Sequence, residues 1–445
     1  MEVILENIIV YAIMFLIVAL IFYFYLKHGQ KKSRETSSKI QKAKEYGIYE
    51  PVSLHPVVDT ETCIGSGACI AACPEKDILG LINGQAHPIN TSRCVGHGAC
   101  FHACPVQAIT LCIGTEKRGV DLPHVSPNFE TNVPGIFIAG ELGGMGLIKN
   151  AVEQGKQAVE NFVKRKKLNG KTDFDLVIVG SGPAGISATL TAEKSGLRHI
   201  TFEQDTLGGT VSNFPRKKIV MTNPMYLPLY GKVKLSETSK SELLQLWNEV
   251  LSKNQIKINE NEKVQEIEKH PDHFLIKTSK KEYSSTGVLI AIGRRGSPRK
   301  LNVPGESKEK VSYRLIEPEL ITNKKILIVG GGDSAIESAL LLVEEKNEVT
   351  ISYRKDVFAR LKPKNLEKIK LAEKSNKLKI IYNSEVKEIR DNEVTLIRKD
   401  IETEKNISND LVYIFAGGEL PADFLSKIGI NITKKFGDAL LKHEK

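Results

Sequence analysis

The chain has 445 residues, of which 41% are hydrophobic and 26% are charged, and its formal net charge is +10. This composition is typical of folded proteins and excludes a disordered or fibrous chain, while the length predicts about three domains at roughly 150 residues each. All seven cysteines lie between Cys63 and Cys112, a distribution that favours a metal site in a reducing compartment over a disulfide framework. We find no nucleic-acid-binding motif to accompany the positive charge, so nucleic acid is not an expected partner.

The first predicted element is an apolar helix near the amino terminus. The 19 residues from Ile8 to Leu26 carry no charge, and as a helix they would extend roughly 28 Å, about the hydrocarbon thickness of a bilayer. Seven basic and two acidic residues follow between positions 27 and 45, whereas Glu2 and Glu6 precede the segment. The positive-inside rule therefore predicts a single-pass anchor in the inner (cytoplasmic) membrane, with the rest of the chain in the cytoplasm. A buried core helix is the alternative, but such helices rarely lack a polar face.

Two cysteine motifs with the same internal spacing come next. Each has cysteines at its first, seventh and eleventh positions and a proline directly after the last, and the second motif begins 31 residues after the first. Iron-sulfur clusters need thiolate ligands, and these motifs resemble those of bacterial two-cluster ferredoxins over about residues 51–115. In that family the last cysteine of each motif binds the other cluster. The resemblance implies one cluster held by Cys63, Cys69 and Cys104, and another held by Cys94, Cys100 and Cys73.

Both motifs depart from that family at the position of the second cysteine, which is Ser66 in the first and His97 in the second. A [4Fe-4S] cluster prefers four thiolates. Three interpretations remain open: Ser66 or His97 supplies the fourth ligand, the cluster is [3Fe-4S], or the site holds no metal. Cys112 lies in an apolar stretch and is interpreted as a buried small side chain rather than a ligand.

A glycine-rich turn follows the predicted strand Asp175–Val179. Its sequence is Gly180-Ser-Gly182-Pro183-Ala184-Gly185, and a predicted helix runs from it to about Ser195. Glycines there permit a tight turn and close approach of a pyrophosphate to the amino end of a helix. Glu203 follows the next strand, where an acid is expected to bind a ribose hydroxyl. The whole pattern predicts a dinucleotide site.

The pattern recurs after the predicted strand Lys325–Val329, with Gly330, Gly332 and Ala335 at the corresponding positions. The next predicted strand, Glu348–Ser352, ends at Tyr353, Arg354 and Lys355 instead of an acid. Basic side chains there suit a 2′-phosphate, so this second site is predicted to favour NADPH over NADH. The alternative is that Arg354 pairs with Asp356 on the surface.

Two such turns in tandem resemble the thioredoxin-reductase-like flavoproteins over about 320 residues, with FAD at the first turn and NAD(P)H at the second. Ala291-Ile-Gly293 resembles the family's crossover between domains. The implied fold class is α/β, with two Rossmann-like domains for FAD and NAD(P), a small α+β ferredoxin-like domain and one amino-terminal transmembrane helix. One hallmark is absent, because no Cys-x-x-Cys follows residue 112. The chain is therefore not expected to be an ordinary disulfide reductase.

In that family a late Gly-Asp turn and a helix complete the FAD domain. Here a similar segment, residues 131–155 with Gly140 and Glu141 at the turn, precedes the first glycine turn. We interpret this order as a circular permutation, which close surface termini make tolerable. The expected domains are 1–27 (transmembrane anchor), 28–50 (basic polar linker), 51–115 (dicluster ferredoxin-like), 116–170 (permuted carboxyl-terminal part of the FAD domain), 171–310 (FAD-binding), 320–420 (NAD(P)-binding) and 421–445 (return to the FAD domain and tail).

The main functional hypothesis is electron transfer between NADPH (or NADH), FAD, two iron-sulfur clusters and an external carrier such as a ferredoxin, a quinone or a membrane haem protein. Flavin exchanges either a hydride or single electrons, whereas a cluster exchanges one electron at a time. We identify no general acid or base. Two alternatives stay open: a reductase of small disulfides in which the clusters are structural, and a membrane-tethered redox sensor. A homodimer is compatible with each of them.

Overall fold

The structure is a computed structural model that describes residues 2–45, 49, 51, 54–75, 77–94, 96, 98–117, 119–144, 146–165, 171–214, 219–221, 224–235, 237–294, 297–358 and 361–443. It divides into two compact units. Unit one comprises Met1–Gly119 and Phe436–Lys445, and unit two comprises Val120–Lys435.

The helices are α1 (Glu2–Glu45), α2 (Ala68–Ala72), α3 (Ala99–Ala103), α4 (Ile148–Arg165), α5 (Pro183–Lys194), α6 (Lys240–Lys253), α7 (Asp333–Glu344), α8 (Pro363–Lys374) and α9 (Ala422–Lys427), with 3₁₀ turns at Thr91–Arg93, Glu141–Gly143 and Pro318–Leu320. The strands are β1 (His55–Val58), β2 (Leu79–Ile82), β3 (Gln85–Pro88), β4 (Ile109–Ile113), β5 (Val120–Pro123), β6 (Ile136–Ile138), β7 (Phe174–Val179), β8 (His199–Phe202), β9 (Ile219–Met221), β10 (Met225–Leu227), β11 (Gly231–Val233), β12 (Glu237–Ser239), β13 (Val264–Lys269), β14 (Phe274–Thr278), β15 (Glu282–Ile290), β16 (Ser297–Pro298), β17 (Val311–Ser312), β18 (Lys325–Val329), β19 (Glu348–Ser352), β20 (Leu378–Ile381), β21 (Ser384–Ile389), β22 (Glu393–Arg398), β23 (Thr403–Ser408), β24 (Leu411–Ile414), β25 (Gly418–Glu419), β26 (Ile432–Lys435) and β27 (Asp438–Leu441).

Helix α1 is continuous over 44 residues. Its part from Tyr11 onward is long and apolar enough to cross a bilayer by length and composition. The helix does not end where the apolar segment ends, so the prediction of a polar linker at 28–50 is wrong for residues 28–45. The reason is a second packing face in the basic part, where Thr36 and Ala43 are buried against the rest of unit one.

The contact partner of that face is the hairpin formed by β2 and β3. A Cβ on Gly80 of β2 would fall 2.8 Å from Cγ2 of Thr36, so the bare glycine backbone is what lets the helix approach. The Ser33 hydroxyl donates to Oδ1 of Asn83 at 3.2 Å, and Lys39 pairs with Asp77 at 2.6 Å. These contacts attach α1 to the cysteine-bearing part of the chain.

Unit one also contains a three-stranded sheet in the order β1-β4-β27. The sequence predicts that residues 421–445 form a return to the FAD domain and a tail. Strand β27 pairs antiparallel with β4, so the end of that range, Phe436–Lys445, belongs to unit one. The physical reason is that β1 pairs with only one edge of β4. The backbone groups on the other edge of β4 need hydrogen-bond partners, and β27 provides them. Cys112 lies in β4 and is 6% exposed, as its prediction as a buried residue requires.

The first sheet of unit two has the order β13-β14-β15-β7-β8, with β6 also beside β15. Strands β6, β7 and β8 run parallel, and their mainly apolar sequences, rich in Ile and Val, are typical of a sheet covered on both faces. Helices α4 and α5 pack closely, because a Cβ on Gly155 would fall 2.1 Å from the carbonyl oxygen of Ala184. The predicted strand, glycine turn and helix at 175–195 are confirmed within one or two residues.

The second sheet of unit two has the order β17-β24-β18-β19-β20, all parallel. Strands β18 and β19 have the predicted bounds. Strand β24 lies within the range 320–420 that the sequence assigns to the NAD(P) domain, and it pairs with β18 of this sheet. Further along, Leu425, Ile428 and Ile430 do pack into the core of the first sheet.

Candidate functional sites

The first glycine turn joins β7 to the amino end of α5. Gly180 has φ 101°, a conformation that favours glycine. A Cβ on Gly185 would fall 1.8 Å from the carbonyl oxygen of Gly180, whereas one on Gly182 would meet nothing within 4 Å. The open space at Gly182, over free N–H groups in the first turn of α5, fits an anionic pyrophosphate. Pro183 opens the helix at a position where no N–H is needed.

Glu203 follows β8 and is 5% exposed. Its Oε2 accepts hydrogen bonds from the Ser181 backbone N–H at 2.8 Å and from the Ser181 hydroxyl at 3.1 Å. Its Oε1 accepts from the Asp205 N–H at 3.1 Å. The carboxylate therefore lies beside the glycine turn and fixes its middle residue, in addition to the ribose contact expected from the sequence. Ser181 was not singled out from the sequence, although its place between two glycines of the turn was visible.

The segment from residues 131–155 reaches the same turn. A Cβ on Gly140 would fall 3.0 Å from Cβ of Ala184, and the Gly140 N–H donates to Oε1 of the buried Gln154 at 2.8 Å. Glu141 starts the short 3₁₀ turn that follows. The structure thus brings Gly140 and the first glycine turn together. Gln154 is a positioning residue that the sequence pattern did not reveal.

The second glycine turn joins β18 to α7. Gly330 has φ 136°, and a Cβ there would fall 2.5 Å from the carbonyl oxygen of Phe415. Gly332 precedes the helix with nothing within 4 Å of an added Cβ, and Ala335 is fully buried beneath the turn. This geometry repeats that of the first turn and fits a second pyrophosphate.

The basic residues expected at the second site lie at the end of β19. Arg354 and Lys355 are both exposed. Within the residues that the structure describes, Arg354 makes no ion pair with Asp356. Tyr353 packs against the second glycine turn, since a Cβ on Gly331 would fall 2.4 Å from its ring. Arg354 and Lys355 are therefore open to solvent beside the turn, as a phosphate-binding pair would be.

A cavity in unit one gathers the first group of predicted iron ligands. Its lining includes Cys63, Ser66, Cys69 and Cys104, together with apolar side chains of β1, β3 and β4. Backbone N–H groups donate to two of these sulfurs, from Ala86 to Cys63 at 3.4 Å and from Ala108 to Cys104 at 3.2 Å. Such bonds favour thiolates, so the residues present fit a cluster.

The second group comprises Cys73, Cys94 and Cys100, which are all buried. The Gly96 N–H donates to the Cys94 sulfur at 3.4 Å. Burial, with a smaller contribution from neighbouring thiols, raises the pKa of the Cys94 thiol to about 12 and that of the Cys100 thiol to about 11. His97, the expected fourth ligand of this group, lies outside the described residues.

Thiols buried in this way are costly to ionise without a cation. Among the described residues, no three His, Cys, Asp or Glu side chains converge on a point suited to a single metal ion. In an iron-sulfur cluster each cysteine binds a different iron atom, so the thiols need not converge on one point. The arrangement of the two thiol groups therefore fits clusters better than single metal ions.

Comparison with known proteins agrees with both units. Residues 177–445 match the profile of the pyridine nucleotide-disulphide oxidoreductase family, and residues 55–105 match that of the 4Fe-4S dicluster domain. The chain is 27% identical to bacilliredoxin reductase Bdr of Bacillus subtilis over 273 residues, covering 60% of this chain and 84% of the relative. It is 29% identical to a ferredoxin–NADP reductase of Ignicoccus hospitalis over 270 residues, covering 59% and 83%.

Among solved structures, the bacillithiol disulfide reductase Bdr (YpdA) of Staphylococcus aureus is similar, with a TM-score of 0.52 and 27% identity. The match covers 58% of this chain and 81% of that one.

Proposed function

The chain belongs to the pyridine nucleotide-disulphide oxidoreductase family, and from this premise we propose that it is a membrane-anchored enzyme that moves electrons from NADPH to a one-electron carrier. It is an FAD-dependent oxidoreductase of pyridine nucleotides with an iron-sulfur domain. When bound, FAD converts a hydride into single electrons, and iron-sulfur clusters carry those electrons one at a time. The observation that carries the proposal is that one chain has two nucleotide-binding turns in unit two and two cysteine groups in unit one.

Each part of the chain has a separate task in this proposal. Gly182 and the first turn of α5 bind the FAD pyrophosphate, and Glu203 orders the turn and binds the ribose. Arg354 and Lys355 bind the 2′-phosphate of NADPH, which NADH lacks. The cysteines hold clusters, with Ser66 facing the first cavity as an oxygen donor.

The placement of Gly140 beside Ala184 supports the circular permutation. Strand β6 precedes β7 in sequence, yet it pairs in parallel with β15 in the same sheet. On this proposal, the segment 131–155 supplies the part of the FAD site that the family takes from a late segment.

Reduction of a small disulfide is a second candidate, favoured by the names of two similar proteins, both Bdr reductases. It would need a thiol beside the flavin or direct hydride delivery to the disulfide. Unit two, residues 120–435, contains no cysteine. The ferredoxin–NADP reductase of Ignicoccus hospitalis, which is equally similar, favours a redox carrier as the partner.

The membrane assignment is part of the proposal. Side chains from Tyr11 to Leu26 of α1 are exposed, and none contacts the rest of unit one closely enough to be buried. Exposed apolar helices of this length are stable in a bilayer and unfavourable in water. We infer insertion in the inner membrane with both units in the cytoplasm.

The test is anaerobic titration of the full chain, reconstituted in detergent, with NADPH. We expect the absorbance of oxidised flavin to bleach and an electron-spin signal from reduced clusters to appear. In the double variant Cys63→Ala and Cys94→Ala, the flavin should still bleach, whereas reduction of a one-electron carrier should fall.

Small-disulfide reduction predicts the opposite outcome. Under that hypothesis the double variant retains full NADPH oxidation with a small disulfide such as bacillithiol disulfide. An unchanged rate with that substrate, and no spin signal in the wild type, would refute electron transfer through unit one.

A further inference from the structure

Resting on the proposed function, we propose that the cysteine group Cys63, Cys69 and Cys104 is the membrane-facing electron port and that a lipid-soluble quinone is its partner. The group Cys73, Cys94 and Cys100 lies farther from the membrane. Helix α1 gives a measure of distance from the membrane, because on this proposal one unbroken helix leaves the bilayer and packs on unit one. The segment around each cysteine group is linked by contacts to a different part of that helix.

The first cysteine group is tied to the level of α1 nearest the apolar segment. A Cβ on Gly65 would fall 1.7 Å from the carbonyl oxygen of Gly84, so the loop between Cys63 and Cys69 touches the turn between β2 and β3. That turn is bound to the helix, since Asn83 accepts from the Ser33 hydroxyl and its N–H donates back to it at 3.3 Å. Ser33 is seven residues after Leu26, or about 10 Å along a helix.

The second cysteine group is tied to the opposite end of α1. The Thr91 hydroxyl donates to the carbonyl oxygen of Tyr49, and the Cys94 N–H donates to the carbonyl oxygen of Thr91 at 3.0 Å. Tyr49 lies four residues after the helix ends, and its ring is covered by the Lys44 ammonium at 5.0 Å. Glu45 is about 18 Å farther along the helix than Ser33.

The two groups also differ in exposure. The loop over the first group is open, with Ile64 66% exposed and Ser66 exposed beside it. The cysteines of the second group are all 7% exposed or less, whereas in the first group Cys69 is 6% exposed and Cys63 and Cys104 are only partly buried. Electron exchange with an outside partner therefore favours the first group.

The chemistry of the exposed loop indicates the kind of partner. Residues 63–67 carry no charge, and the exposed side chain of Ile64 is apolar. Soluble redox proteins usually dock through complementary charges. A neutral carrier dissolved in the bilayer needs none, and the exposed Lys27, Lys31 and Arg34 would hold the adjacent helix at anionic headgroups.

The overall reaction balances. NADPH supplies two electrons and one proton as a hydride, and one more proton comes from water. The two electrons are transferred one at a time. Together with the two protons they reduce one quinone to one quinol, and NADPH becomes NADP⁺.

The experiment uses the full chain in phosphatidylethanolamine–phosphatidylglycerol vesicles. Benzoylphenylalanine replaces Ile64 in one variant and Leu440 in a matched control, since Leu440 is also an exposed apolar residue of unit one. After irradiation, mass spectrometry should find lipid adducts at position 64 and not at position 440. This readout needs no turnover.

The second arm measures NADPH-dependent reduction of decyl-ubiquinone in the vesicles and of ferricyanide in the water. Inserting seven helix-forming residues after Lys27 adds about two turns, which preserves the docked face and raises unit one by about 10 Å. We expect the quinone rate to fall at least about tenfold, as for a contact that loses roughly 1.4 kcal/mol. The ferricyanide rate should not change, and Ile64→Glu should act like the insertion while Leu440→Glu should not.

Absence of lipid adducts at position 64, or a quinone rate indifferent to the insertion, would overturn the proposal while leaving the proposed function intact. Equal reduction of a soluble ferredoxin in the wild type and the insertion variant, without quinone reduction, would assign a soluble partner instead. Failure of NADPH to reduce any acceptor would overturn the proposed function and the quinone assignment together.

Discussion

The substitution Glu203→Gln tests how the FAD site is ordered. The two carboxylate oxygens accept three hydrogen bonds, two from Ser181 and one from Asp205. A glutamine offers one oxygen, and its NH₂ group would then face a backbone N–H in a site that is 5% exposed. Bonds to a charged acceptor are worth about 1.5–3 kcal/mol, and a buried donor without a partner costs about 1–3 kcal/mol. We expect the free energy of unfolding of unit two to fall by about 2–4 kcal/mol.

The measurements are urea unfolding and FAD content after gel filtration. FAD affinity should fall at least about tenfold, because the ordered turn and the ribose acceptor are both lost. The matched control is Glu249→Gln, the same change at an exposed residue of α6 in the same unit, and it should stay within about 0.5 kcal/mol of the wild type. If Glu203→Gln keeps wild-type stability and full FAD content, the role given to this carboxylate is wrong.

Four further predictions concern other parts of the chain. Arg354→Ala should raise the KM for NADPH about tenfold to hundredfold and leave that for NADH unchanged, because a charge-assisted bond to phosphate is worth about 1.5–3 kcal/mol; equal effects on both nucleotides would contradict this. Ser66→Cys should raise the iron content per chain or sharpen the electron-spin signal of the first cluster, and no change in either would exclude position 66 as a ligand position. Gly80→Val should separate α1 from strand β2, because the valine side chain would overlap Thr36, and proteolysis between residues 27 and 36 should then be faster. Gly29→Ala, at a position with open space around it, should instead stabilise helix α1 by about 0.5–1 kcal/mol. Burial, followed by the hydrogen bond to Glu262, raises the pKa of Tyr283 to about 12, so its proton stabilises the folded state below pH 10 and that contribution is lost between pH 10 and 12. Tyr283→Phe should therefore show a smaller loss of stability over that interval in urea titrations.

The strands next to the glycine turns could be predicted from the sequence because the signal is local. Each is a short β-branched run that ends directly at glycine, and β18 and β19 have the predicted bounds. Strand partners are not a local property. Leu411–Ile414 is apolar enough for either sheet, and its place beside β18 depends on pairing with a strand more than 80 residues earlier in the sequence.

The functional side chains divide in the same way. Glu203 was predicted from its distance to the first glycine turn, but its bonds to Ser181 depend on how the turn folds back. Gln154 lies in the same predicted segment, 131–155, as Gly140, but the sequence does not single it out, and the fold of that segment brings its Oε1 to 2.8 Å from the Gly140 nitrogen.

The docked half of α1 shows why charge patterns mislead about packing. Seven basic residues between positions 27 and 45 make the segment resemble a linker, yet Ser33, Thr36, Ile40 and Ala43 recur at helical spacing on one face. Ser33, Thr36 and Ala43 are small, and Ile40 is the one strongly apolar side chain among the four, so a hydrophobicity criterion passes over this face. What makes the face is its match in size to Gly80, where the helix meets bare backbone. A close fit of this kind depends on the shapes of both surfaces. The sequence of α1 alone therefore does not predict it, and the position of Gly80 in β2 must also be known.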